Sequence, residues 1–176
     1  TNKSASVWGT TMATWQYSKR VQIPWRAMVP GVAAGLVGSF IGAWAVTQMS
    51  PDFLRKVLPL VLVAVLAYTL AKKDLGLQHA PRFRGRTERL IVGTIGLVIG
   101  LYDGFFGPGT GSFFAIGFVA LAGFGMARAT AHTKLLNFTS NIASLLFFAL
   151  GGKVVWSVGF CMALGQFIGA RFGSKL

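Results

Sequence analysis

Six stretches of the chain contain no Asp, Glu, Lys or Arg, and they place the strongest limit on its fold. They cover residues 27–50, 57–71, 90–102, 104–127, 135–152 and 154–170. A helix that crosses a bilayer needs ~20 apolar residues, so the first, fourth and fifth stretches can each cross alone. The third is too short, and we expect it to form part of a crossing. The stretches predict an all-α, polytopic transmembrane protein, because strands would need a closed barrel and these runs do not alternate.

The charged residues lie between these stretches. The chain has 17 Lys and Arg against 4 Asp and Glu, a formal net charge of +13. A basic chain can bind nucleic acid, but these positive residues flank apolar segments, where Lys and Arg anchor and orient membrane helices. They form three groups: Lys19, Arg20 and Arg26; Lys72 and Lys73; and Arg82, Arg84, Arg86 and Arg89. We therefore expect the lipid bilayer as a partner and no nucleic acid.

A constant shift of 131 residues (134 − 3) superimposes parts of the chain on one another. It matches Lys3 with Lys134, Trp25 with Trp156, Gly38 with Gly169 and Gly42 with Gly173. Such self-similarity predicts two homologous repeats. We assign residues 1–72 to the first repeat, 73–89 to a basic cytoplasmic linker and 90–176 to the second repeat. The unmatched parts predict that the N-terminal part of the first repeat and the C-terminal helix of the second are missing.

The two repeats differ in which helix end is positive. Residues 19–25 and the linker are both rich in Lys and Arg and are separated by two crossings, so we place both on the cytoplasmic side. In the second repeat the loop 151–155 holds only Lys153, while the following helix ends with Arg171 and Lys175. A parallel repeat would keep the same end positive. The reversal favours an inverted repeat.

Glycines recur at three- and four-residue spacing in both repeats. They are Gly31, Gly35, Gly38 and Gly42 in the first repeat, and Gly165, Gly169 and Gly173 in the second. Small residues at this spacing let helix backbones approach closely in lipid, so we interpret them as packing residues.

Residues 101–112 read LYDGFFGPGTGS and form a glycine-rich break between apolar stretches. No continuous helix is expected through residues 107–109. Irregular backbone at membrane depth is tolerated where it is buried in protein or lines a wet cavity, and the N-terminus of the following helix can hold an anion. The candidate anion-binding residues here are Gly107, Gly109, Thr110, Gly111 and Ser112. A tight turn at the membrane surface stays an open alternative.

Polar residues also recur on one face of an otherwise apolar helix. They are Lys134, Asn137, Asn141 and Ser144, at three- and four-residue steps. A cation and two amides are unfavourable against lipid, so this face should point into the protein. The candidate substrate-binding residues are Lys134, Asn137, Asn141 and Thr133, with the polar repeat counterparts Lys3, Ser6 and Thr10. Two lysines with amide and hydroxyl donors suit a small oxyanion. Alternatively, Lys134 lies at the interface and snorkels.

Two further residues are candidates for proton coupling. Asp103 is the acidic residue that lies between long apolar segments, and His132 is of the type that titrates near neutral pH. Asp103 has two other readings, an ion pair with Lys134 or a cap on the helix break. For His132 the alternative is a hydrogen bond at a helix end.

Residues 103–111 (DGFFGPGTG) and 132–141 (HTKLLNFTSN) resemble the TauE/SafE sulfite exporter family. The segment Thr1-Asn2-Lys3 is similar to the family's repeated Thr-Asn-Lys element, although the first copy of its glycine-rich element is absent. The resemblance implies export or uptake of sulfite, sulfonates or related organosulfur anions through a bacterial inner membrane, without a bound cofactor. It makes a small anion the expected substrate.

Three functions are compatible with these features. Secondary anion transport accounts for the repeat, the broken helix and the matched lysines. A membrane enzyme would need a nucleophile, metal or acid/base set, and we find no convincing one among the four acidic residues, the two histidines and Cys161, which lies within an apolar run. A helical membrane scaffold leaves the polar face unexplained. We expect a transporter, not an enzyme, without a metal site, and we leave a homodimer open.

Overall fold

The computed structural model describes residues 2–21, 24–71 and 82–173, and every regular element in these ranges is an α-helix. The helices are α1 (Asn2–Arg20), α2 (Trp25–Thr47), α3 (Pro51–Ala71), α4 (Arg86–Phe105), α5 (Thr110–Ala120), α6 (Met126–Leu150) and α7 (Trp156–Gly173). The predicted all-α class is confirmed. Residue 72 and most of the predicted linker, residues 73–81, lie outside the described residues.

The helices follow the apolar stretches, with one exception. Of the described helices, α2 and α6 are long and apolar enough to cross a bilayer, and they contain most of the first and fifth stretches. The third stretch belongs to α4, whose 20 residues make it longer than the partial crossing we expected. The fourth stretch is not a single crossing, so that expectation is wrong. Its residues are divided among the end of α4, a turn, the 11-residue α5, the segment that follows it and the start of α6.

The turn that divides the fourth stretch has a local cause. Gly107 and Gly109 adopt φ values of 87° and 77°, in a region that disfavours any residue with a Cβ. Pro108 between them has no N–H to donate to a helix. The chain therefore leaves α4 at Phe105 and starts α5 at Thr110, where Gly109 is the N-cap.

Glycines bring α2 and α4 into backbone contact. A side chain at Gly100 would meet the carbonyl oxygen of Gly35 at 2.7 Å. Other glycines on this contact also face backbone atoms of the opposite helix: Gly38 and Gly42 on α2, and Gly96 and Gly104 on α4. In contrast, side chains at Gly165 and Gly169 on α7 would meet nothing within 4 Å. We call the α2–α4 contact the glycine seam.

The helices that surround the seam have defined directions. Ser39 of α2 donates to the carbonyl oxygen of Ser140 on α6 at 2.6 Å, and the Phe40 and Phe147 rings lie 5.0 Å apart. Earlier on both helices, a side chain at Gly31 of α2 would meet Leu136 Cδ2 of α6 at 3.5 Å, so α2 and α6 are parallel. Lys3, near the start of α1, borders the same small cavity as Phe148, near the end of α6. Because α1 also packs along α6, it runs in the opposite direction.

The apolar core lies where α5 is held between α4 and α6. Phe114 and Phe118 of α5 are fully buried, together with Leu136 of α6 and Val92 of α4. Their packing holds α5 inside the bundle. As a result, the turn that precedes α5 lies inside the bundle and away from its end.

Candidate functional site

The helix break lies inside the bundle and not at its end. Asp103 before the break and Thr110 after it form a hydrogen-bonded cluster with Ser140 of α6. Ser140 precedes the end of α6 at Leu150 by ten residues (150 − 140), which is about 15 Å of helix. This depth argues against a tight turn at the membrane surface.

Asp103 forms an ion pair with Lys3. The Lys3 Nζ lies 2.8 Å from Asp103 Oδ1, and the two side chains are only 12% and 2% exposed. Thr110 Oγ1 donates to Oδ1 at 2.8 Å, and Ser140 Oγ donates to Oδ2 at 2.7 Å. A buried carboxylate needs such partners, since an unpaired one would be strongly destabilising.

The two structural interpretations of Asp103, an ion pair with Lys134 and a cap on the helix break, are therefore wrong. It does not pair with Lys134, because the antiparallel course of α1 brings Lys3 to the break instead. It does not cap α5 either, since Gly109 is the N-cap and no side-chain cap bond is made there. Asp103 joins α1, α4, α5 and α6 through a single carboxylate. Proton coupling through it stays a prediction.

A cavity of about 550 Å³ opens beside this ion pair, within the ~300–1,000 Å³ range of small-molecule sites. It brings together most of the candidates: Lys3, Ser6, Thr10, Asp103, Gly107, Gly109, Thr110, Gly111, Lys134, Asn137 and Asn141. Residues from both predicted repeats therefore share one wall.

Lys134 is the second cation of this wall. It is half-buried on α6, and the described residues include no ion-pair partner for it. In the snorkelling alternative, the Lys134 side chain would reach the membrane surface to find polar surroundings. Lys134 borders the cavity, which provides polar surroundings within the bundle. Lys134 thus contributes a positively charged side chain to the cavity.

Asn141 holds the neighbouring amide in a fixed orientation. Its Nδ2 donates to the Asn137 backbone oxygen at 2.8 Å and to Asn137 Oδ1 at 3.0 Å. The Nδ2 of Asn137 is then directed toward the first turn of α5, where a side chain at Gly111 would meet it at 3.7 Å. An amide donor and a helix N-terminus therefore converge beside Lys134.

The glycines of the break have different neighbours. A side chain at Gly107 would meet Lys3 Nζ at 3.4 Å, and one at Gly109 would collide with Val65 of α3. Gly111 has Asn137 as its neighbour, and both residues line the cavity. Gly109 is thus required by helix packing, whereas Gly111 keeps space open in the cavity.

Three candidates do not line the cavity: Ser112, His132 and Thr133. His132 is fully buried, with ring centroids 5.5 Å from Phe118 and 5.1 Å from Phe124. Its Nδ1 lies 2.7 Å from the carbonyl oxygen of Arg128 in the first turn of α6, as the helix-end alternative described. Proton coupling through His132 stays a prediction that this placement does not favour.

Sequence reasoning missed several lining residues, of which Gln166 is the most informative. Asn2, Gly9, Ala13, Tyr17, Gln166 and Gly169 also line the cavity. Gln166 is an amide within the apolar α7, and a side chain at Gly9 would meet its Oε1 at 3.0 Å. A polar residue inside an apolar helix was the available signal, since such residues usually face a cavity or partner.

The whole chain, residues 1–176, matches the family described as Sulfite exporter TauE/SafE. It is 45% identical over 177 residues to the probable membrane transporter protein YfcA of Escherichia coli K12, covering 100% of this chain and 65% of that protein. A Sinorhizobium protein, probable membrane transporter protein ORF9, is 41% identical over 99% of the chain and 66% of its own length. A probable membrane transporter protein of Haemophilus influenzae is 35% identical, with 100% and 68% covered.

The chain thus spans about two thirds of the length of these relatives, 65% in the case of the Escherichia coli protein. No solved structure matches it. The relatives and the two long apolar helices together identify a membrane protein. The match over residues 1–176 settles its relationship: the chain belongs to the sulfite exporter TauE/SafE family.

Proposed function

We propose that this protein is a secondary transporter that carries a small anion, such as sulfite, a sulfonate or a related organosulfur anion, across the bacterial inner membrane. The observation that carries the proposal is the position of Lys134, a cation that borders the cavity beside a broken helix. The names of the relatives describe membrane transporters, which favours transport over catalysis. The description of the family adds sulfite as the substrate class. The proposal requires no cofactor.

The cavity wall supplies the donors that a small oxyanion needs. Lys134 contributes an ammonium group, Asn137 an oriented amide and the first turn of α5 a helix N-terminus. Hydrogen bonds between charged groups are roughly twice as strong as neutral ones, so Lys134 would dominate the binding. A bound anion would be the counterion that Lys134 does not find among the described residues.

The helix directions support an inverted repeat around this cavity. The shift of 131 residues matches α1 with α6, and it matches the start of α2 at Trp25 with the start of α7 at Trp156. Inversion requires matched helices to run in opposite directions, as α1 and α6 do. The packing is also reciprocal, since α1 packs on α7 as α2 packs on α6. Opposed repeats around a central site would permit alternating access by rocking of one against the other.

Flux of radiolabelled sulfite into proteoliposomes that contain the protein tests the proposal. We expect saturable uptake that exceeds uptake by protein-free liposomes and that an unlabelled sulfonate inhibits. If folded protein gives no saturable flux of either sulfite or a sulfonate, the proposal is wrong.

A further inference from the structure

The described residues that line the cavity include three charged side chains, Lys3, Asp103 and Lys134. The Lys3 ammonium and the Asp103 carboxylate lie 2.8 Å apart. Their charges cancel, and they would also cancel if a proton passed from one to the other. Lys134, which has no acidic partner among the described residues, leaves the cavity wall with one uncompensated positive charge.

We infer that this single charge selects a singly charged oxyanion, such as a sulfonate, over a doubly charged one, such as sulfate. The inference rests on the proposed function, because it specifies the anion that the cavity would hold. It assigns to Asp103 a role in specificity: the carboxylate removes Lys3 from the set of cations that a ligand can use.

The reason is the energy of charge inside the protein. A monovalent anion beside Lys134 would leave the cavity neutral, whereas a divalent anion would leave one negative charge without a partner. A buried charge without a partner is strongly unfavourable.

The hydrogen bonds of the ion pair lead to the same conclusion. The Thr110 and Ser140 hydroxyls already have acceptors, since each lies within hydrogen-bond distance of Asp103, at 2.8 and 2.7 Å, and of a backbone carbonyl. These donors, like Lys3, are therefore engaged before a ligand arrives. The other polar side chains that line the cavity, such as the Asn137 amide and the Ser6 hydroxyl, carry no charge, and they can orient an oxyanion without adding charge.

A series of variants with different cavity charge tests the inference. Equilibrium binding of radiolabelled methanesulfonate and of radiolabelled sulfate to the purified protein in lipid nanodiscs is compared at one neutral pH and one ionic strength. Asp103→Asn raises the wall charge by one unit, Lys3→Gln lowers it by one unit, and the double variant restores the wild-type charge. The thermal unfolding midpoint of each variant reports whether it is folded.

We expect wild-type protein to bind methanesulfonate about tenfold or more tightly than sulfate. Asp103→Asn should shift the ratio of the two affinities toward sulfate by about tenfold or more, Lys3→Gln should weaken methanesulfonate binding, and the double variant should regain the wild-type preference. If Asp103→Asn fails to fold, the inference is still tested by the loss of methanesulfonate affinity in Lys3→Gln and by the recovery of that affinity in the double variant.

Two failures are distinguishable. Wild-type protein that binds neither anion contradicts the proposed function itself. Wild-type protein that binds sulfate as tightly as methanesulfonate, or a folded Asp103→Asn variant with an unchanged ratio, overturns only the charge inference.

Discussion

Lys3 and Lys134 occupy matched positions of the proposed repeat but have different surroundings. Lys3 lies against Asp103 at 2.8 Å, whereas Lys134 borders the cavity without an ion-pair partner among the described residues. The repeat shift identified both lysines from the sequence, and it could not separate them. The difference depends on the tertiary approach of α1 to the helix break, which no local pattern encodes.

Lys134→Gln should reduce anion flux by about tenfold or more while the protein remains folded, because a charge-assisted hydrogen bond contributes about 1.5–3 kcal/mol. The measurement is the initial rate of radiolabelled sulfite uptake by proteoliposomes. Lys56→Gln is the matched control, since Lys56 is an exposed cation on α3 that does not line the cavity. Equal flux in the two variants would show that Lys134 does not hold the anion.

At the scale of the helices, the glycine seam explains why α2 and α4 pack so closely. The spacing of the α2 glycines predicted a packing role, but only the structure identifies Gly96, Gly100 and Gly104 of α4 as the opposing surface. The same pattern on α7 does not have a neighbouring helix at Gly165. Glycine spacing thus indicates a helix surface that can pack closely, but it does not predict which helix packs against that surface.

Substitution of single glycines by alanine should separate these two surfaces. Alanine favours an exposed helix interior by about 0.8–1.0 kcal/mol over glycine, so Gly165→Ala should leave the unfolding midpoint unchanged or raise it. Gly100→Ala should lower it, because the new methyl group would meet the Gly35 carbonyl oxygen at 2.7 Å and force the backbones apart. Thermal unfolding in detergent measures both variants. Stabilisation by Gly100→Ala would mean that the seam is looser than described.

The apolar stretches predicted the helices well where a stretch was uninterrupted and poorly where glycine and proline divided it. The first and fifth stretches became α2 and α6, which run to 23 and 25 residues. The fourth, 104–127, has the same polarity but became a turn and an 11-residue helix. Hydropathy records the preference for lipid, whereas the backbone angles of Gly107 and Gly109 decide whether one helix can continue.

At the scale of the molecule, the parallel course of α2 and α6 predicts a membrane topology. The turn before α2 and the loop after α6 lie at opposite ends of the bundle, so an inverted repeat places them on opposite faces of the membrane. Residues 21 and 151 mark these two segments, and they nearly match under the repeat shift (21 + 131 = 152). Gly151 is preferred over Gly152 because its φ is −79°, which any residue can adopt, whereas that of Gly152 is 65°.

With the exposed Cys161 replaced by Ala, a membrane-impermeant maleimide on intact cells should label a Gly151→Cys protein and spare a Val21→Cys protein. Because positive residues flank Val21, we expect this segment to face the cytoplasm, and a cysteine there should react only after the membrane is opened. Equal labelling of both sites from outside would contradict the inverted arrangement. Gln22, the residue after Val21 in the same segment, is outside the described residues.

The glycine seam also limits how the bundle can move. Side chains at a helix contact usually allow small sliding motions, because they exchange rotamers as the helices shift. Where the contact is backbone against glycine, as between Gly35 and Gly100, there are no rotamers to exchange. Helices α2 and α4 should therefore move as one rigid pair, and any conformational change around the cavity would occur where α1 packs on α6.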